Sequence, residues 1–187
     1  GISRVFQTPE IFSDLTVFEN VLIPCFAKRD GAFQMNAIGA VTGHGDIKDM
    51  AEAILADVNM LDKRHMTASS MSRGDKRRLG MAMCLAQEPR LLLVDEPAAG
   101  MTVEEREKTT DILRRAAQTR AVVVVEHDME FVRRLGCKVT VLHEGSVLAE
   151  GSLDHVTKNQ DVIDVYLGRS QMLTVNNLTL HYSKSQI

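Results

Sequence analysis

The sequence predicts an α/β fold: a parallel sheet with crossover helices, preceded by a mainly helical stretch and closed by a short β tail. Three observations carry this. From Arg90 onward, apolar runs of strand length alternate with segments of helical periodicity. Residues 12–87 are instead dominated by apolar spacings of three and four. Two strand-length runs also end in consecutive polar residues, Asp95-Glu96 and Glu126-His127-Asp128. Strands that alternate with helices need crossovers, and crossovers give parallel neighbours.

Taken in order, Ile2-Ser3-Arg4-Val5-Phe6 alternates as a strand and stops at Gln7-Thr8-Pro9, where Pro9 biases Thr8 away from helix. Leu15, Phe18, Val21 and Leu22 recur at helical spacing, as do Ile47, Met50, Ala51, Ile54, Leu55 and Val58. These predict two amphipathic helices joined by a glycine-bearing loop at 39–45. A third helix is expected to start near Ser72, run through Leu79, Met83 and Ala86, and close before Pro89. Then follow a strand at 91–95, a helix at 102–120, a strand at 121–126, a helix at 128–135 and a strand at 138–142. Thr102 with Glu105 makes a capping-box start for the first of those helices. Glu144-Gly145 predicts a turn into a hairpin strand at 146–150, and 152–167 a closing helical segment. After the polar break Gly168-Arg169-Ser170-Gln171, two short alternating runs flank Asn176-Asn177 and read as strands.

With 187 residues and 44% hydrophobic content the chain can bury a core of one-domain size with an appended piece. Its 22 Lys+Arg against 25 Asp+Glu give a net charge of -3, so no overall basic field points to nucleic acid or anionic lipid. Cys25, Cys84 and Cys137 lack metal-ligand or disulfide-framework spacing and are expected as buried free thiols in a reducing cytosol. No apolar run approaches the ~20 residues that span a bilayer, so a membrane role is expected only through a partner chain.

In an open parallel sheet, ligands bind outside the carboxyl ends of the strands. If the strands ending at Asp95 and Glu126 are neighbours, Glu96 and His127 share one edge. Nucleoside triphosphate hydrolysis needs a carboxylate for the magnesium shell, a base or positioner for the attacking water, and donors for the phosphoryl charge. Asp95, Glu96 and His127 offer those three chemistries. One carboxylate at a strand end is ordinarily just solvated; two in a row after an apolar run, followed by Pro97, favour function. Met71-Ser72-Arg73-Gly74-Asp75 heads a basic cluster at 76–78, and a helix start with free amide donors suits an anion. The same residues also read as an ordinary Ser72/Asp75 capping box with the cluster on a solvated face.

In this order, with Gln7, the motifs resemble the ATP-binding subunit of ABC transporters. Gln7 is similar to the Q-loop, 71–75 to the signature motif, 91–96 to the Walker B strand, 98–101 to the D-loop and His127 to the switch histidine. The resemblance covers nearly the whole chain. It implies an incomplete P-loop (RecA-like) ABC ATPase core with a mainly helical subdomain and a C-terminal β tail. Residues 1–11 would be the Q-loop strand and 12–87 the helical signature subdomain. Residues 88–168 would be the Walker B and switch-histidine half of the core, and 169–187 a linker and β tail.

The implied cofactors are ATP and Mg2+. Asp95 orders the magnesium shell, and Gln7 touches the magnesium or water site and reports to the membrane domain. Glu96 is the general base, and His127 contacts the terminal phosphate. The implied partners are transmembrane permease subunits and a second ATP-binding subunit in a head-to-tail dimer, where Ser72 and Gly74 complete the opposite site; no nucleic acid is expected. The location implied is cytoplasmic, peripheral on the inner face of the cell membrane. Within the family, Ala98-Ala99-Gly100-Met101, Val125-Glu126-His127-Asp128-Met129 and Val165-Tyr166-Leu167-Gly168-Arg169 look most like importers of branched-chain amino acids or urea, with urea ahead.

The pattern also departs from the family. No Gly-Lys pair occurs, so the phosphate-wrapping G-x-x-x-x-G-K-[ST] is not among these residues. The family places that loop before the Q-loop. The expectations are an N-terminal part preceding Gly1 and a chain that by itself neither binds ATP tightly nor hydrolyses it. Arg73 replaces the usual first signature glycine and Asp75 the usual glutamine, and a carboxylate near the docking phosphate is expected to weaken ATP-driven dimerisation. Residues 172–182 resemble the opening strands of another subunit of the family, with Tyr182 as the aromatic that stacks on adenine; the alternative is a plain hairpin with a core tyrosine. Such a tail can pair with an open sheet edge. Two rivals are a catalytically silent regulatory module and a soluble ABC-type ATPase of DNA repair or translation. No coiled-coil insertion, zinc-type cysteine pairing or broad basic surface supports the second.

Overall fold

The computed structural model describes residues 1–6, 8–30, 45–167, 173–175 and 178–180, which form two compact units, 1–131 and 132–187. Gln7, Tyr182 and residues 39–44 of the loop expected at 39–45 lie outside the described residues, and Gly45 already belongs to a helix.

In the first unit, β1 (Ile2–Val5), β2 (Leu91–Asp95) and β3 (Ala121–Val125) make a parallel sheet in that order. The register sets Ile2 beside Leu91, Leu91 beside Ala121, and Asp95 beside Val125. Because side chains alternate across a sheet, one set of rows faces inward. Ser3, Val5, Leu92 and Val94 are buried, and Val122 and Val124 continue their rows half-buried. The opposite face leaves Ile2, Val123 and Val125 exposed, Val125 by 61%.

The helices α1 (Val17–Asp30), α2 (Gly45–Asp57) and α3 (Arg73–Leu85) pack on one another, and α3 also packs on β1. Val17, Val21, Cys25, Ala51, Leu55 and Leu79 are buried in this helical part. Thr16 and Glu19 form a reciprocal cap at the start of α1: Thr16 Oγ1 accepts from the Glu19 amide at 3.2 Å, and Glu19 Oε2 accepts from the Thr16 amide at 2.8 Å. Asn20, fully buried, fixes the entry loop by accepting from the Phe12 amide at 2.8 Å and donating to the carbonyls of Phe12 and Thr16.

Helix α4 (Val103–Ala116) opens on the expected Thr102/Glu105 capping box. It stops at Ala116, short of the expected 120, because the next amides fold back: Gln118 donates to Arg115 O at 3.1 Å and Thr119 to Ala116 O at 3.2 Å. That tight turn delivers the chain to β3 at Ala121. Helix α5 (Met129–Leu135) follows.

In the second unit, β4 (Val139–His143) and β5 (Ser146–Gly151) are antiparallel. The sequence put the first of these in the series of the parallel sheet but also predicted the hairpin, and the hairpin is what forms. Glu144 (φ +49°) and Gly145 (φ +77°) both adopt the left-handed conformation of a two-residue hairpin turn, so β4 takes its sequence neighbour as partner. The closing segment is not one helix. It breaks into α6 (Leu153–Val156), α7 (Gln160–Val162) and a wide turn at Ile163–Leu167. Ser152 and Asn159 each cap a fresh start, Asn159 Oδ1 accepting from the Asp161 and Val162 amides at 2.9 and 3.3 Å. Ala149, Leu153, Val156 and Val162 form this unit's core. The tail strands β6 (Leu173–Val175) and β7 (Leu178–Leu180), read from their alternation, pair antiparallel.

The thiols are free, but only Cys25 is buried; Cys84 is half-buried and Cys137 exposed, which corrects the expectation of three buried thiols. Burial pushes the Cys25 and Cys84 thiols up to about 11, Glu88 adding to the effect at Cys25, so both stay protonated at neutral pH. Among the described residues no helix is long and apolar enough to cross a membrane.

Candidate functional site

The parallel register of β2 and β3 brings their carboxyl ends side by side. Glu96 donates its amide to Val125 O at 2.9 Å and then leaves the strand with φ +44°, a left-handed conformation rare outside glycine. His127 stands two residues beyond β3, its side chain 75% exposed, with Nδ1 3.6 Å from Glu96 Oε1. The shared edge expected from sequence is thus present. Asp95, ending β2, accepts on Oδ2 from Arg4 Nη2 of β1 at 2.9 Å, and the Arg4 guanidinium lies 4.9 Å from the Phe6 ring centre. Adjacent carboxylates on strand ends offer hard oxygen donors of the kind Mg2+ takes, so the donor set fits that ion.

Behind these residues are two buried charges. The Glu126 side chain is 1% exposed. Its Oε1 accepts from the Ala98 amide at 2.7 Å, and its Oε2 from the amides of His127 and Asp128 at 2.9 and 3.1 Å. Arg77, 4% exposed, donates through Nη1 to the carbonyls of Pro97 at 3.2 Å, Glu96 at 3.4 Å and Ala99. Asp128 pairs with Arg106 at 2.8 Å and accepts from the Phe131 amide at 3.0 Å, which starts α5.

At the start of α3, the exposed Ser72 caps the helix through Oγ, accepting from the Asp75 amide at 3.1 Å. The reciprocal half of the box is absent, because the buried Asp75 carboxylate binds Lys63 at 2.7 Å and Arg78 instead. Burial opposes ionisation of Asp75, but the Lys63 hydrogen bond and the charges of Arg78 and Lys63 outweigh it and hold the carboxyl below the usual carboxylate range. The cluster at 76–78 is therefore not a solvated face: Arg77 and Arg78 are buried and only Lys76 is half-exposed. Gly74 is buried under Glu105, where an added Cβ would stand 2.2 Å from Oε1, so only glycine fits while the α4 cap is made.

Sequence reasoning singled out Asp95, Glu96 and His127, which the structure gathers at one sheet edge. Ser72 and Gly74 sit on a separate element, α3, which reaches the turn after β2 through Arg77. Reasoning from sequence missed the roles of Arg77, Glu126 and Arg4. One signal was available: Gly74, Arg77, Arg78 and Met81 follow i, i+3, i+4, i+7, the spacing of a buried stripe. Between the segment after Gln7 and α3 runs a groove of about 770 Å3, lined by Pro9, Ile11, Phe12, Arg73, Lys76 and Met83 among others.

A parallel α/β core carrying a helical subdomain is the architecture of the ATP-binding cassettes. The chain belongs to the ABC transporter family: the family's model matches residues 1–99. It is 30% identical over 175 residues to the high-affinity branched-chain amino acid transport ATP-binding protein LivG of Escherichia coli (strain K12), covering 91% of this chain and 69% of that protein. It is 29% identical to the corresponding protein BraF of Pseudomonas aeruginosa over 177 residues, with the same coverage. The dimeric post-hydrolysis structure of the ATP-binding cassette MJ0796 bound to ADP and Pi superposes with a TM-score of 0.64 at 26% identity, covering 81% of this chain and 62% of that one. The ADP conformation of the cassette MJ1267 gives 0.67 at 21% identity, covering 90% and 68%, a likeness of fold. The chain thus spans about two thirds of the length of these relatives.

Proposed function

We propose that these residues belong to the energy-coupling, ATP-hydrolysing subunit of an ABC importer of the branched-chain amino acid or urea type. The observation that supports this best is the meeting of Asp95, Glu96 and His127 on one sheet edge, with Glu96 Oε1 3.6 Å from His127 Nδ1. In this reading Asp95 supplies oxygen to Mg2+, which when bound neutralises phosphate charge. Glu96 takes the proton of the attacking water, and His127 donates to the terminal phosphate. Gln7 would sit at the same water or magnesium site and report to the permease. Ser72 and Gly74 would face the nucleotide of a second ATP-binding subunit, and Tyr182 would stack on adenine in a following unit. The working parts are 1–11, 12–87, 88–168 and 169–187, as the motifs divide them. The names of the relatives favour amino acids over urea as the imported class.

Because G-x-x-x-x-G-K-[ST] is not among the 187 residues, the purified chain is expected to show no Mg2+-dependent ATP turnover above buffer. Turnover that disappears in Glu96→Gln would overturn this. The groove lined by Pro9, Ile11 and Phe12 is the proposed permease contact, and the cytoplasmic face of the membrane is the proposed location. A tagged chain is expected to co-purify with a membrane permease, and Phe12→Asp, which replaces an exposed apolar ring of the groove wall with a charge, to reduce recovery several-fold without unfolding the protein. Recovery of nucleic acid instead, or a permease yield unmoved by Phe12→Asp, rejects the assignment.

A further inference from the structure

We propose that Glu126 and Arg77 are positioning residues: a buried anion and a buried cation that clamp the turn after β2 and tie the start of α3 to the backbone of His127. The proposal rests on the reading of Glu96 and His127 as the acting groups.

The turn needs holding. Glu96 (φ +44°) and Gly100 (φ +69°) are both left-handed and bracket Pro97-Ala98-Ala99; the amides of Ala99 and Met101 close the turn locally on Glu96 O at 3.3 Å and Ala98 O at 3.2 Å, but a left-handed non-glycine residue such as Glu96 is strained backbone. Arg77 takes the carbonyls of Glu96, Pro97 and Ala99, while Glu126 takes the amide between them, that of Ala98. Opposite charges therefore grip opposite ends of the peptide dipoles in one short segment. The second Glu126 oxygen holds the amides of His127 and Asp128. Two segments 28 residues apart thus share one carboxylate.

The chemistry selects these residue types. Only a carboxylate offers two acceptor oxygens; glutamine would turn an NH2 against one set of amides, and aspartate is one methylene too short to serve both. All three carbonyls are bonded by one nitrogen, Nη1, which lies one bond further from the backbone than a lysine ammonium, so lysine keeps the charge of Arg77 but falls short of the set of carbonyl bonds. His127 is exposed, and Glu126 fixes its backbone while leaving the imidazole free to meet a ligand. A shift of α3 would pull on Arg77, then the turn, then Glu126 and the amides of His127 and Asp128, through hydrogen bonds at each step.

Amide hydrogen exchange on the 187-residue chain tests this without reference to ATP turnover, so failure of the clamp and failure of the catalytic reading are told apart. In Glu126→Gln the amides of Ala98, His127 and Asp128 are expected to exchange together about tenfold faster or more, the loss of bonds to a charged acceptor, while Leu92 and Val94 in β2 keep their protection. In Arg77→Lys the amides of His127 and Asp128 are expected to accelerate too, although Arg77 bonds neither; a merely local structural role would leave them unmoved. Response of Ala98 alone, or of 127–128 alone, overturns the proposal. So does equal acceleration of Leu92 and Val94 in both variants.

Discussion

Asp75→Asn is expected to destabilise the protein by about 3–5 kcal/mol, the range for removing one partner of a buried charge cluster. Asp75 lies between Lys63 and Arg78, and Arg78 is itself buried, so the substitution strands a guanidinium in the interior without its counter-charge. Against a whole-domain stability of about 5–15 kcal/mol this is a large fraction, and urea or thermal unfolding would register it directly. The pH dependence carries a second signature. The carboxyl of Asp75 titrates lower in the folded than in the unfolded chain. Its contribution is therefore complete above the unfolded carboxylate value of about 4 and is lost as pH falls through the lower folded value. Asp75→Asn should remove that part of the acid sensitivity. An equally stable variant with the same acid limb would show that the ion cluster is incidental. The pairing also alters what the sequence suggested: the carboxylate is held by two cations, so its removal is expected to weaken the start of α3 rather than to favour dimerisation.

In a subunit that joins these residues to a phosphate-binding loop, as the proposed function requires, Glu96→Gln is expected to lower kcat for ATP hydrolysis by about 10²–10⁴-fold, the usual contribution of a general base. Folding should be unaffected, because Glu96 is held through its main chain: its amide bonds Val125 O and its carbonyl accepts from Arg77, and both survive the change. Nucleotide binding should persist, since the substitution removes a proton acceptor rather than a phosphate donor. A variant that keeps wild-type turnover, or one that loses binding and turnover together, would assign the base elsewhere.

Much of this was legible in the residues. Period-two alternation in Ile2–Val5 and the apolar run of Leu91–Asp95 gave strands where strands are found. The spacing Thr102 to Glu105 gave a cap with both hydrogen bonds made. Such features depend on groups a few residues apart, where covalent geometry fixes who can meet whom. The errors have different causes. The basic run at 76–78 reads as solvated until a turn about twenty residues ahead supplies the carbonyls that take up Arg77, and Asp75, itself bonded to Lys63 twelve residues back, pairs with Arg78. The misplacement of β4 is local: the Glu144-Gly145 turn, read correctly as a hairpin, already names its antiparallel neighbour.

By itself the sequence determined the kind of site: carboxylates and a histidine at the ends of two strands, in the motif order of the ABC transporter family. Only the tertiary structure decided that Glu96 and His127 meet at 3.6 Å, and that Arg77 and Glu126 stand buried behind them. The physical reason is that burial and pairing of a charge depend on what the fold brings against it from distant parts of the chain. Local pattern dictates the strand and its ending, but not which buried ion holds that ending in place.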